Sequence, residues 1–459
     1  MSDYQVNNPA TGEVEATYPT ATEQDIQRVI EQADTAYQDW QKTSLSERSA
    51  LLNKIADIYI ERQDELARIV ANEMGKPLAQ AKGELQLVAQ IYRYYADNGE
   101  QLLAPNTIDV DQGSASVKKL PVGVLLGIMP WNYPHYQVAR FVAPNVMAGN
   151  TIILKHAPQC PNTAEVIVDI LKDAGLPSGV YNNVFATNDQ AATIIEDSRV
   201  QGISLTGSER AGQAVAKVAG GALKKVVLEL GGSDAFIVAA DADIGKAVQG
   251  AISGRFGNTG QACNAAKRLI VIESVYDDFV KGFTDAVRDM SLADPLDDGT
   301  FIGPMSSKAA ATNLQEQLDS AIQAGATVLV EGGMVKDKPG AWFKPAVLTD
   351  VDESMDVYRQ ELFGPVAVIY KARDVDHAIQ IANDVPFGLG ASIQTQDAAL
   401  AAEIAEQLDV GMVTINAPSG SEANTPFGGV KRSGFGRELG TLGITEFLNY
   451  KLIRNKTSA

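Results

Sequence analysis

Thiol and imidazole groups are scarce in this chain. It has two cysteines, Cys160 and Cys263, far apart, and three histidines, His135, His156 and His377, in unrelated contexts. Two isolated cysteines make no disulfide framework and fit a reducing compartment. Scattered histidines offer neither a zinc site nor a Cys–His nucleophile pair, so no metal is expected. Long apolar runs are also missing. The longest, Leu120 to Met129, is broken by Pro121, Gly123 and Gly127 and reaches about half a membrane span. The start, Met1 to Gln5, lacks the basic segment and apolar core of a secretory signal. A cytoplasmic protein without a membrane partner is therefore expected. Cations are outnumbered, with 38 Lys and Arg against 57 Asp and Glu, and the net charge of −19 argues against nucleic acid as a partner.

What is present is a globular composition, 45% hydrophobic and 21% charged over 459 residues, long enough for more than one domain. Thr22 and Asp25 form a capping-box pattern that opens a helix through about Trp40. A long amphipathic helix is predicted over Ser44 to Ala71, and a third over Leu78 to Asn98. Residues 105–120 read as two short strands around a turn at 111–113. From Val122, strands at 122–128, 151–155, 180–185, 202–206 and 225–230 alternate with helices near 135–148, 161–174, 189–196 and 208–219. From Ala235 a second round has strands at 235–239, 268–273, 327–330 and 364–370. Such alternation predicts an α/β fold of two parallel-sheet lobes divided after Glu229, with ligands at the carboxyl ends of the strands.

The chemistry concentrates between Glu229-Leu230-Gly231-Gly232 and Gly260-Gln261-Ala262-Cys263. A thiolate is a strong nucleophile, but a free thiol is only slightly ionised at neutral pH and needs help from its surroundings. Glu229 closes an apolar strand, where burial raises a carboxylate's pKa and suits it to act as a base. On these residues alone, a buried and inert cysteine beside a glycine-rich turn fits equally well. The loop Pro130-Trp131-Asn132-Tyr133-Pro134 can aim the Asn132 amide at a developing oxyanion, or it can be a rigid turn. Lys155 ends a strand, where it can reach ribose or phosphate or simply sit in solvent. Thr206-Gly207-Ser208 is a strand-to-helix turn whose helix N-terminus favours phosphate.

These motifs together resemble the aldehyde dehydrogenase superfamily over essentially the whole chain, and their wording is most similar to bacterial succinate-semialdehyde dehydrogenases. The resemblance implies two Rossmann-like lobes with a β-strand oligomerisation arm. It places a cofactor-binding domain at 1–103 and 121–230, a catalytic domain at 231–430, and the arm at 104–120 and 431–459. A homodimer or dimer-of-dimers tetramer follows. It assigns Cys263 as nucleophile, Glu229 as base for the hydrolytic water, and Asn132 with the Cys263 N–H as oxyanion hole. Trp131, Lys155, Pro158, Thr206, Gly207, Ser208, Glu361 and Phe363 fall to the cofactor. Relatives specific for NAD often carry a glutamate where Pro158 stands, so NADP is expected to be accepted alongside NAD. Arg140, two helical turns past Asn132, and Tyr136 are the expected contacts for a short aldehyde with a distal carboxylate, such as succinate semialdehyde. An arginine in a structural ion pair is the competing role for Arg140. Other aldehydes, a CoA-acylating enzyme (disfavoured by Glu229) and a non-redox cysteine hydrolase are the alternatives.

Overall fold

The strand–helix alternation closes into two separate parallel sheets in the structure, a computed structural model that describes residues 4–456. The first three and last three residues lie outside the described residues, as does the part of the no-signal reading that rests on Met1 to Asp3. Among the described residues no helix is long and apolar enough to cross a membrane.

The first sheet runs in the order Gly434–Phe435, Lys225–Glu229, Val200–Thr206, Val124–Ile128, Thr151–Lys155, Tyr181–Asn183. Gly434–Phe435 is antiparallel to its neighbour and the other strands are parallel. From Val124–Ile128 the chain first builds outward to Tyr181–Asn183. It then returns to the other side of Val124–Ile128 with Val200–Thr206. That reversal opens a crevice at the carboxyl ends of these two strands, the topological switch point of such sheets. The loops leaving them carry Trp131 and Asn132 on one side and Gly207 and Ser208 on the other.

The second sheet has the order Thr327–Val330, Ala346–Thr349, Val366–Ala372, Ala266–Ile272, Asp234–Val238, Gly390–Gln394, Met412–Ile415. All pairs are parallel except the first. Ala346–Thr349, Gly390–Gln394 and Met412–Ile415 are not predicted from the sequence. They are short, and the first two are buried along their whole length, which erases the alternation that marks a strand.

Helix Tyr136–Ala148 is buried at every position, so it is a wedge in the interior rather than a surface helix. It packs between the first sheet and helix Leu78–Leu103. The helix expected over Ser44 to Ala71 is two, Leu45–Glu61 and Gln63–Met74, broken at Arg62. Arg62 has ψ 12, which turns the axis while the apolar spacing continues on both sides. A single-residue kink is therefore invisible to periodicity.

Leu448–Asn455 pairs antiparallel with Ser114–Pro121, which also pairs with Asn106–Ile108. This three-stranded sheet exposes Ile108, Tyr450, Leu452 and Ile453.

Candidate active site

A cavity of about 280 Å³ lies at the switch point. Asn132 and Cys263 line it with Trp131, Thr206, Gly207, Ser208, Glu361 and Phe363. Eight sequence-predicted residues from four separate stretches thus meet at one hollow. Leu230 and Gly231, which follow Glu229, complete that side of the wall. Lys155 and Pro158 are not part of it. They lie toward the N-terminal hairpin, where the Lys155 ammonium is 5.8 Å from the Tyr4 ring centre and the Pro158 carbonyl accepts from Gln5 N–H at 3.0 Å. Burial lowers the Lys155 pKa to about 8.

The loop before Cys263 is strained and tightly held. Asn258 and Thr259 have φ 53° and 54°, a region that costs non-glycine residues about 1–3 kcal/mol each. Hydrogen bonds offset that cost. Asn258 N–H donates to Gln80 Oε1 at 2.6 Å, and its side chain donates to the Asn132 carbonyl at 2.9 Å. Gln261 Oε1 accepts from Ser306 N–H at 2.9 Å. Gly260, at φ 73°, brings a Cβ position to 2.5 Å from the Gly364 carbonyl, so only glycine fits. Arg255, fully buried, ties the two loops together. It donates to the carbonyls of Leu362 (2.8 Å), Val366 (2.8 Å) and Gly260 (3.3 Å) and to that of Gly364.

Burial pushes the Cys263 thiol up to about 12. Arg140 and Lys267 pull it down, while Glu361 and Asp234 push it further up. A thiol so placed is neutral at pH 7 and needs a base or added positive charge before it attacks. Glu229 is 2% exposed, and neither carboxylate oxygen has a hydrogen-bond partner among the described residues. Desolvation therefore holds its pKa well above the usual carboxylate range, with Arg140 opposing and Glu438 reinforcing. Gly428 leaves room for this side chain, since a Cβ there would lie 2.6 Å from Glu229 Oε1. The Glu229 carbonyl accepts from Gly207 N–H at 2.9 Å, joining the base's strand to the cofactor turn.

The Asn132 amide donates to the Gln261 carbonyl at 3.0 Å, which leaves its second N–H for a ligand. Its loop is held by two residues the sequence does not single out. Glu84 Oε1 accepts from the N–H groups of His135 (2.9 Å) and Tyr136 (3.0 Å), capping the buried helix from outside. Glu84 also pairs with Lys76, whose ammonium is 3.6 Å from the Tyr133 ring centre. Both charges are almost fully buried. No motif marks such residues, because their roles depend on contacts across long sequence separations.

On the opposite wall, Glu361 Oε1 accepts from Gly232 N–H and pairs with Lys267, both at 3.1 Å. Phe363 stands edge-on to Trp131 with centroids 5.7 Å apart. Ser208 caps helix Glu209–Gly221 at the cavity's rim.

Arg140 differs from a free carboxylate clamp. It is buried, paired with Glu438, and donates to Thr206 Oγ1 at 3.1 Å and Tyr136 Oη at 3.3 Å. Tyr136 Oη in turn donates to Ser421 Oγ at 2.9 Å, linking the helix to the loop before Phe427. Arg140 thus reaches that wall through the tyrosine hydroxyl. The histidines serve elsewhere. His135 lies 3.4 Å from Tyr59 Oη, His156 bonds the Pro134 carbonyl at 2.9 Å, and His377 bonds Arg373 N–H at 3.3 Å. A Cys–His hydrolase pair is therefore not formed.

A family model described as the aldehyde dehydrogenase family matches residues 1–453. A succinate-semialdehyde dehydrogenase [NADP(+)] of Deinococcus radiodurans is 50% identical over 447 residues, 97% of this chain and 94% of its own. The Escherichia coli K12 succinate semialdehyde dehydrogenase [NAD(P)+] Sad is 42% identical, over 97% of this chain and 96% of its own. A solved Streptococcus pyogenes succinic semialdehyde dehydrogenase in complex with NADP+ is 39% identical with a TM-score of 0.97. The match covers 99% of this chain and all of that one.

Proposed function

The chain belongs to the aldehyde dehydrogenase family, and on that premise we propose that it oxidises succinate semialdehyde to succinate with NADP, NAD serving as a second cofactor. The observation that carries the reading is the convergence of Cys263, Asn132, Glu361, Phe363 and Ser208 on one cavity at the switch point. The substrate rests on the Deinococcus and Escherichia relatives, which are named for it. NADP rests on those names, on the Streptococcus complex, and on Pro158 standing where a repelling carboxylate would be.

The residues present fit a nicotinamide dinucleotide. A helix N-terminus capped by Ser208 offers N–H groups to phosphate. Glu361 offers a carboxylate to ribose, and the Trp131–Phe363 pair offers an apolar wall to the nicotinamide. The chemistry that group would supply here is a hydride acceptor. Cys263 Sγ, partly exposed, gives up its proton to solvent water and bonds to the aldehyde carbon. The oxyanion takes hydrogen bonds from the free Asn132 amide N–H and from Cys263 N–H. Loss of the hydride leaves a thioester on Cys263. Glu229, once ionised, removes a proton from water, which attacks the thioester and releases succinate and the thiolate. Tyr136 and Ser421, backed by Arg140, are the proposed polar wall for the distal carboxylate.

The map of a cofactor domain (1–103 and 121–230), a catalytic domain (231–430) and an arm (104–120 and 431–459) is part of this reading. So is a cytoplasmic homodimer or tetramer, supported by the exposed apolar residues of the three-stranded sheet. The test is reduced-cofactor absorbance with a panel of semialdehydes and simple aldehydes, each with NADP and NAD. A larger kcat/KM for an uncharged aldehyde than for succinate semialdehyde would overturn the substrate assignment.

A further inference from the structure

Lys267 is not among the residues the sequence points to, yet its ammonium stands between the two halves of the site. It is the second residue of strand Ala266–Ile272 and is 1% exposed. Nζ donates to the Ala262 carbonyl at 2.8 Å and the Cys263 carbonyl at 2.6 Å, and lies 3.1 Å from Glu361 Oε1. These three partners use all the hydrogens an ammonium carries. It also lies 5.8 Å from the Phe363 ring centre.

We propose that Lys267 is a positioning residue that couples cofactor engagement at Glu361 to the reactivity of Cys263. The inference rests on the dehydrogenase reading above. The peptide unit between Ala262 and Cys263 holds the Ala262 carbonyl at one end and the Cys263 N–H at the other. Donation from Lys267 to that carbonyl polarises the unit and strengthens its N–H as an oxyanion donor, since hydrogen bonds in a chain reinforce one another. A ribose hydroxyl donating to Glu361 draws part of that carboxylate's charge away from Lys267. The ammonium then bears more fully on the cysteine peptide. The other charges facing Cys263 are Arg140, which favours the thiolate, and Asp234 and Glu361, which oppose it. Asp234 is buried, with Oδ1 accepting from Gly390 N–H at 3.1 Å.

The test is the pH profile of Cys263 alkylation by iodoacetamide, read by mass spectrometry of its peptide, with and without NADP. In the unmodified enzyme NADP is expected to move the profile to lower pH. In Lys267→Met that movement is lost, and the single-turnover hydride-transfer burst slows about tenfold or more, less than the roughly 100-fold for deleting an oxyanion donor outright. No NADP-dependent movement in the unmodified enzyme, or a retained movement in Lys267→Met, would overturn the proposal. If Lys267→Met does not fold, Glu361→Gln decides. It keeps the ammonium but weakens the link, so its profile should no longer respond to NADP, and a retained response would overturn the coupling. Alkylation needs no turnover. Failure of the unmodified enzyme to oxidise any aldehyde would therefore sink the proposed function while leaving this measurement readable.

Discussion

Arg140 and Glu438 form an ion pair sealed beneath the active site, the guanidinium side chain with no exposure and the carboxylate side chain with 6%. Ser204 Oγ donates to the second Glu438 oxygen at 2.9 Å, so the pair is embedded in a wider polar network. Arg140→Ala would strand a buried carboxylate, and a loss of about 3–5 kcal/mol in unfolding free energy is expected by denaturant titration. KM for succinate semialdehyde should rise more than KM for an uncharged aldehyde of similar length, because the Tyr136–Ser421 wall loses its backing. Equal changes in the two KM values would remove Arg140 from the wall that meets the carboxylate.

Glu229→Gln separates the two halves of the reaction. Steady-state turnover should fall by about 10²–10⁴-fold, the usual contribution of a general base, while a burst of one reduced cofactor per subunit remains. In the unmodified enzyme turnover should rise with pH as Glu229 ionises, and the variant should lack that rise. Stability has the opposite sign. A carboxyl whose pKa is raised by folding holds its proton longer in the folded state, so its cost to stability grows as pH rises above its unfolded value of 4.5. Glutamine carries no such cost, and the variant is expected to melt higher at pH 8. Full turnover in the variant would remove Glu229 from the mechanism.

Pro158→Glu should shift preference toward NAD. A carboxylate beside a 2′-phosphate costs about 1–3 kcal/mol in a partly screened site, or roughly 5–150-fold in KM for NADP. KM for NAD should hold or improve. Steady-state kinetics with both cofactors checks this, and an unchanged NADP-to-NAD ratio would place the 2′-phosphate elsewhere.

Glu84→Ala removes the one oxygen that accepts from two N–H groups and leaves Lys76 buried without its partner. The expected loss is again about 3–5 kcal/mol, seen as a lower denaturant midpoint. Surviving folded enzyme should show a slower burst, because the Asn132 loop loses its anchor at His135 and Tyr136. A variant as stable as the parent would mean that the pair contributes nothing net.

The sequence by itself determined the two-lobed α/β fold and eight of the residues that meet in the cavity, while Lys155 and Pro158, named with them, lie outside it. The alternation of apolar strands with amphipathic helices is local. So are the turns carrying Asn132, Gly207 and Glu361, each at a strand end or beside a glycine. Tertiary structure alone decided which charges oppose one another. Arg140 reads from its spacing as a substrate contact or an ion-pair partner, and only the return of the chain at Glu438 to the first lobe set a carboxylate beside it. Lys267, Arg255, Lys76 and Glu84 look like ordinary charged residues until distant segments bring carbonyls, N–H groups or an opposite charge to them. An ion's role depends on what it meets once water is excluded, and neither spacing nor composition records that meeting.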